Sequence, residues 1–296
     1  VQLLTPTHWR DYRLLDSGGF EKLEQFGPYV LIRPEPQAVW DRALSEKEWQ
    51  QRAHATFTRD KNSQERGEWH AKPGMTHPWM LDYEALGMRF RFRLTLPAFK
   101  HVGIFPEQAA NWEYIYEHTQ AMVRRQAERV PKVLNLFAYT GGASLAAKAA
   151  GADVTHVDAV KQVITWSREN MELSGLQGIR WVVEDALKFV KREVRRGNRY
   201  QGIILDPPAY GRGPAGEKWL IEEHLNEMLK LCADLLDPDE HFFVINLYSL
   251  GFSALIVENL ITTTFPQAQH PEFGELYLPD QSGKKLPLGT FYRFWK

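Results

Sequence analysis

The pattern of apolar and polar positions changes near residue 110. Before that point aromatic residues, prolines and short charged runs dominate, and the clearest periodicity is Met88-Arg89-Phe90-Arg91-Phe92-Arg93-Leu94. Strict alternation is the period of a β-strand. It puts Phe90 and Phe92 on a buried face and Arg89, Arg91 and Arg93 on the opposite one, where they face solvent or, as the alternative, a nucleic acid. A short helix is predicted over residues 45–58, led by Ser45 as N-cap with Glu48 three positions later. Residues 60–78, with Gly, Pro, Asn and Ser, read as loop.

From residue 111 onward, apolar runs of four to six residues alternate with helical stretches. That alternation is the signature of βαβ units and a parallel sheet. Helices are predicted over residues 112–129, 142–150, 160–174, 186–196, 217–236 and 253–262, and strands over 133–137, 154–157, 180–183, 202–205 and 242–246. Residues 274–278 and 290–295, joined across Ser282-Gly283-Lys284-Lys285, suggest a closing antiparallel pair. The expected fold class is therefore α/β, with a Rossmann-like, mostly parallel sheet over residues 111–296 and a small β-rich α+β domain over residues 1–110. That first domain is expected to recognise substrate.

Composition narrows the function classes. With 296 residues, 44% hydrophobic and 25% charged, the chain has room for two domains with real cores and is not disordered as a whole. A formal net charge of -1 removes the strong basic excess of many nucleic-acid binders but permits a local basic patch. The single cysteine, Cys232, forms no intramolecular disulfide, and the N-terminus lacks the grammar of a secretion signal. Even residues 242–250 are too short to cross a bilayer and are interrupted by Asn246 and Ser249. A cytoplasmic protein with no membrane span and no lipid anchor is expected.

Candidate chemistry gathers where an open parallel sheet holds ligands, just beyond the carboxyl ends of its strands. The first strand runs into Phe137-Ala138-Tyr139-Thr140-Gly141-Gly142, whose glycines permit a tight turn and close approach of a ligand at a helix start. The second ends in Asp158, a carboxylate able to accept from two ribose hydroxyls. After the third come Glu184 and Asp185, able to accept from an adenine amine, although an aspartate before a helix is more often an N-cap. The fourth runs into Asp206-Pro207-Pro208-Ala209-Tyr210, where two prolines fix an extended backbone and Tyr210 offers a flat face for a base. Past it, Gly211-Arg212-Gly213 reads as a loop, with Arg212, Lys218 and Trp219 as phosphate or base contacts. The run Lys188, Lys191, Arg192, Arg195, Arg196, Arg199 is either a solvated helix face or a phosphate track. His54, His70 and His77 lack ligand spacing, so no metal is expected.

The order V-L-N-L-F-A-Y-T-G-G, V-D, E-D-A, L-D-P-P-A-Y resembles the class I S-adenosylmethionine-dependent methyltransferases. Among them it is most similar to the bacterial 23S ribosomal RNA methyltransferases that modify cytosine C5 or guanine N7. The resemblance runs from about Phe99, through Phe105-Pro106-Glu107-Gln108, to Lys296, and the extra N-terminal RNA-binding module of some members is not apparent. It implies S-adenosylmethionine as cofactor, with Tyr139, Thr140 and Gly141 at its methionine end, Asp158 on the ribose, Asp185 on the adenine amine, and Phe105 and Gln108 as further contacts. Asp206, Pro207 and Pro208 would face the methyl group and the acceptor, with Asp206 counted in both sets and Tyr210 beside them.

RNA, ribosomal RNA first, is the expected partner. Methylation at cytosine C5 needs a thiolate, and Cys232 sits in a predicted helix away from the strand ends, so a base nitrogen is expected as the acceptor. A nicotinamide-dependent oxidoreductase is disfavoured because the first turn lacks G-x-G-x-x-G spacing. A noncatalytic RNA-binding module, and a protein or small-molecule acceptor, remain as alternatives.

Overall fold

The computed structural model describes residues 1–60, 66–125, 129–248 and 251–296. In chain order the first strands are β1 (Gln2–Leu4), β2 (Tyr12–Gly18), β3 (Glu21–Phe26), β4 (Tyr29–Pro34), β5 (Ala55–Arg59), β6 (Gly67–Ala71), β7 (Trp79–Ala85) and β8 (Met88–Leu94), with helix α1 (Glu46–Arg52) before β5. After them come α2 (Ala109–Arg125), β9 (Lys132–Leu136), α3 (Gly142–Ala149), β10 (Asp153–Asp158), α4 (Lys161–Leu173), β11 (Arg180–Val183), α5 (Ala186–Arg195) and β12 (Gly202–Leu205). The chain ends with β13 (Tyr210–Arg212), β14 (Lys218–Leu220), α6 (Ile221–Leu235), β15 (Phe242–Leu247), α7 (Ala254–Thr264), β16 (Glu272–Pro279) and β17 (Lys285–Trp295). The chain divides into two compact units, one of Val1–Leu4, Gln108–Leu276 and Gly289–Lys296, the other of Thr5–Glu107 and Tyr277–Leu288.

The first unit is built on an eight-stranded sheet in the order β1-β16-β17-β15-β12-β9-β10-β11. β12, β9, β10, β11 and β15 are mutually parallel where they pair, while β17 runs antiparallel to β15. Every residue of β12 and β15 is buried, as expected of strands covered by helices on both faces. One side of the sheet packs Phe243, Ile245 and Leu247 against Leu225, Leu229 and Cys232 of α6 and Val257 of α7. This is the expected Rossmann-like α/β sheet with an antiparallel closing strand.

The second unit holds a five-stranded sheet, β2-β3-β4-β5-β6, and the ladder β7-β8. Its core sets Trp49 of α1 against Leu15, Leu23 and Ile32. On β8, Phe90 and Phe92 are buried, and the opposite face is charge-paired across the ladder. Arg91 forks onto both carboxylate oxygens of Asp82 at 2.7 and 2.8 Å, and Arg89 lies 3.3 Å from Glu84. Two of the alternating arginines thus answer the acids of their neighbouring strand.

Several boundaries differ from expectation. Ser45 caps α1 in a full capping box with Glu48, but the helix ends at Arg52, because Ala55 to Arg59 carries alternating buried and solvated positions and pairs with β4 and β6. The expected loop 60–78 contains β6, and its residues 61–65 lie outside the described residues, as do 126–128 of the predicted helix 112–129. Helix α6 starts at Ile221 because residues 218–220 form a hairpin with 210–212. A single cut near residue 110 also misses two exchanges: β1 pairs with β16 in the large sheet, and Tyr277–Leu288 belongs with the N-terminal unit. Among the described residues no helix is long and apolar enough to cross a membrane.

Candidate active site

Strand register brings the site together. Leu136 pairs with both Val157 and Leu205, and Leu205 pairs with Ile245. The next residue of each strand therefore falls on one rung, in the order Asp158, Phe137, Asp206, Asn246. With neighbouring strands about 4.8 Å apart, this row extends roughly 15 Å along the carboxyl edge of the sheet.

The turn after β9 is strained and clamped. Phe137 (φ 54°), Tyr139 (φ 47°) and Gly141 (φ 94°) all occupy left-handed backbone, which costs a non-glycine residue free energy unless its surroundings fix it. The two glycines serve different needs. Gly141 supplies the left-handed N-cap of α3, while a Cβ on Gly142 would stand 2.4 Å from the Trp112 ring. The Tyr139 amide donates to Asp158 Oδ2 at 3.0 Å, Ser167 Oγ lies 2.5 Å from the Tyr139 carbonyl, and Asn170 Nδ2 donates to the Thr140 carbonyl at 3.0 Å.

Behind the turn runs a buried polar chain that no sequence motif singled out. Asn135 Nδ2 donates to Ser144 Oγ at 2.9 Å, Ser144 Oγ lies 2.9 Å from His156 Nδ1, and His156 Nε2 lies 3.4 Å from Ser167 Oγ. All four side chains are buried, so the chain ties β9, α3, β10 and α4 to the carbonyl of Tyr139. The sequence signal for it is a polar residue inside an apolar strand, Asn135 in V-L-N-L and His156 in V-T-H-V-D, because buried polar groups in such strands are partnered.

Burial lowers the His156 pKa to about 3. A histidine depressed this way stabilises the fold fully above its unfolded value near 6.5 and loses that stabilisation as pH falls through the interval toward 3. The stability difference between wild type and His156→Gln should therefore shrink by about 1.5 kcal/mol between pH 6.5 and pH 5. Urea unfolding at the two pH values measures it, and a difference independent of pH would contradict the assignment.

Asp158 accepts from the Tyr139 amide through Oδ2 and from the Val160 amide through Oδ1 at 2.9 Å, while burial raises its pKa. Val160, two residues after this acid at the start of α4, and Val183, its register partner on β11, are 45% and 41% exposed. Asp185 is the N-cap of α5, with Oδ1 accepting from the Lys188 amide at 2.8 Å. That cap uses Oδ1. Its neighbour Glu184 is held by both terminal nitrogens of Arg192 at 2.7 and 2.6 Å. Gln108 donates to the Tyr248 hydroxyl at 2.5 Å and accepts from Asn111 at 3.0 Å. Phe105 belongs to the other unit, where its ring meets His101 at 5.0 Å.

After β12, Pro207 is buried and Pro208 and Tyr210 are exposed. The carbonyl of Pro208 accepts from Trp219 Nε1 at 2.7 Å and that of Ala209 from the Ile221 amide at 3.0 Å. These bonds show what the segment's carbonyls do and correct the expectation for Trp219. The carbonyls after Pro207 serve the fold, and Trp219, 2% exposed with its ring 4.8 Å from Phe137, supports the segment from below and offers no face to a base. Arg212 Nε donates to the Tyr210 hydroxyl at 2.7 Å, and Arg212 faces Lys218 across the hairpin.

Asn246, at the end of the row, is 2% exposed, and neither its amide nitrogen nor its oxygen has a hydrogen-bond partner. An orphaned amide beside Asp206 is costly unless a ligand satisfies it. The exposed valines, the Asp158 carboxylate and this amide together fit a ligand with an apolar base, a diol and a polar tail. Cys232 is fully buried in α6, and desolvation pushes its thiol pKa upward, the opposite of an activated thiolate. Among the described residues no three His, Cys, Asp or Glu side chains gather as a metal site.

Comparison with known proteins shows the family. Residues 50–264 match the family described as S-adenosylmethionine-dependent methyltransferase. A SAM-dependent methyltransferase from Agrobacterium tumefaciens, known from its crystal structure, is 40% identical with a TM-score of 0.87, covering 99% of this chain and 93% of that one. The SMU.776 chain, solved in complex with SAH, shares the fold at 18% identity and a TM-score of 0.69, covering 97% of this chain and 76% of that one. The ribosomal RNA large subunit methyltransferase K/L of Shewanella frigidimarina is 32% identical over 153 residues, which are 50% of this chain and 20% of that protein. Its namesake from Syntrophotalea carbinolica is 32% identical over 166 residues, 52% of this chain and 23% of that protein. The chain thus spans about a fifth of the length of these ribosomal RNA enzymes.

Proposed function

The chain belongs to the S-adenosylmethionine-dependent methyltransferase family, and from that premise we propose that it methylates RNA, ribosomal RNA in particular, at a base nitrogen. The observation that carries the acceptor is the exposed Tyr210, 48% accessible, four residues beyond Asp206 on the carboxyl edge of the sheet. It offers a flat surface for a base beside a carboxylate that accepts hydrogen bonds from a base amine. The names of the Shewanella and Syntrophotalea relatives support RNA as the class.

Bound S-adenosylmethionine supplies a methyl group already activated by its sulfonium. What the protein adds is alignment. Asp158 would hold the ribose hydroxyls, the exposed Val160 and Val183 would offer apolar surface to the adenine, and Asp185 would accept from its amine. The clamped turn Tyr139-Thr140-Gly141 carries the methionine end, with Gln108 nearby. Asp206, fixed by Pro207 and Pro208, orients the acceptor nitrogen and takes the proton that an exocyclic amine must lose. Arg212 and Lys218 meet flanking phosphates, and the N-terminal unit selects the RNA.

A nitrogen acceptor accords with Cys232, because a C5 transfer needs a thiolate that a buried helix cysteine does not supply. Transfer of labelled methyl to total RNA, followed by mass spectrometry of the nucleosides, tests the whole proposal. N-methylated nucleosides are expected. C5-methylcytidine would overturn the nitrogen assignment, and label appearing only in protein would overturn RNA. Cys232→Ala is expected to cost on the order of 1 kcal/mol of stability from a small cavity and to retain at least half of the transfer rate, measured by urea unfolding and single-turnover labelling.

A further inference from the structure

The basic run from Lys188 to Arg199, on α5 and just beyond it, divides by what each side chain meets. Arg192 is locked onto Glu184, Arg196 lies 3.2 Å from Glu193, and Arg199 is held by the carbonyls of Asp234 and Leu236. These three arginines are part of the fold. Lys188, Lys191 and Arg195, joined by Lys218 of the hairpin, instead line an open groove of about 540 Å³ whose other walls include Leu231 of α6. Leu187, Val194 and Leu231, which line it, are partly buried and pack against the core.

Spacing turns this rim into a track. Lys188, Lys191 and Arg195 are three and four residues apart, hence on one helix face with axial separations of about 4.5 and 6 Å. Such a row suits successive charges along a polymer. The acids present do not close it. Lys188 lies 3.4 Å from Glu217, a half-buried acid that also lines the groove, and Lys191 lies 2.8 Å from the exposed Glu227; with both lysines solvent-exposed, these pairs are weak and exchangeable.

Location connects the track to the reaction. Asp185, the cap of α5 on the cofactor edge, lines one part of the groove, and Lys218 lies on the hairpin that continues directly from Asp206-Pro207-Pro208-Ala209-Tyr210. We propose that the α5–α6 groove binds the phosphodiester backbone of the RNA acceptor, next to the nucleotide whose base stands at Asp206. This rests on RNA being the acceptor. The neutral overall charge fits, because the binding surface is local and net charge does not reveal it.

The test uses the full chain and a fluorescein-labelled single-stranded RNA of about 20 nucleotides, followed by anisotropy between about 50 and 200 mM salt. Lys191→Glu/Arg195→Glu is expected to weaken binding at least tenfold. The milder Lys191→Ala/Arg195→Ala/Lys218→Ala should flatten the salt dependence by about 0.7 per lost phosphate contact. SAH affinity, measured by calorimetry in each variant, should stay within about twofold and certifies that the fold is intact. Arg124→Glu/Lys132→Glu, in the last turn of α2 and at the start of β9, is the charge-matched control and should bind RNA like wild type. RNA affinity unchanged in both groove variants, with methyl still transferred to RNA, overturns the groove alone. A wild-type protein that binds SAH but neither binds nor methylates RNA overturns the groove and the RNA acceptor together.

Discussion

Asp206→Ala lowers the single-turnover rate of methyl transfer by about 100- to 1,000-fold while SAH affinity changes by less than about tenfold. The expectation comes from position and chemistry together. Register sets Asp206 between Phe137 and Asn246 on the edge row, and two prolines leave the backbone that follows little freedom. Because the methyl is already electrophilic, the barrier that the protein lowers is one of alignment and of charge on the acceptor, and a loss of 3 to 4 kcal/mol of such stabilisation gives about this range. Asp206→Asn keeps an acceptor oxygen and loses the charge, so it should fall between alanine and wild type. Labelled methyl transfer at saturating RNA reads the rate. An alanine variant within threefold of wild type would remove Asp206 from the reacting centre.

Much of this row was legible because parallel strands advertise themselves as apolar runs, and the residue that ends each run is the one presented to a ligand. Asp158, Asp185 and Asp206 were readable one at a time; their common edge came from register. Asn246 was visible only as a polar residue ending the fifth strand, and its weight comes from an amide left without partners.

Other features depend on contacts distant in sequence. Trp219 looks like a base-stacking residue until its indole is seen donating to Pro208. The Asn135-Ser144-His156-Ser167 chain joins four elements and has no local spacing at all. The basic residues of 188–199 look alike in sequence, and only the acceptors around them sort structural side chains from those facing the groove. At the domain level, β1 and the 277–288 segment escape a left-to-right reading because each completes a unit begun elsewhere in the chain.

Asp158→Ala weakens SAH binding by about 100-fold or more. Each carboxylate oxygen has two lone pairs, and one on each is taken by a backbone amide, Tyr139 on Oδ2 and Val160 on Oδ1. The Ala159 amide hydrogen-bonds the carboxylate as well, and the lone-pair capacity left over is what a vicinal diol would use. Hydrogen bonds to a charged group are worth about 1.5–3 kcal/mol each, so losing two costs about 3 kcal/mol or more. Truncation also frees the Tyr139 amide, at a turn already held in left-handed backbone, so the loss should exceed that of Asp158→Asn, which keeps one acceptor. Burial adds a pH signature. It raises the Asp158 pKa, so the carboxylate protonates on acidification sooner than an ordinary one, and the protonated group gives up acceptor capacity. Wild-type SAH affinity should therefore fall as pH drops from 7.5 toward 5, and the alanine variant, already without the group, should lack this component. Calorimetric titration of both proteins at the two pH values decides it, since parallel pH dependence in wild type and variant would assign the ribose contact to another residue.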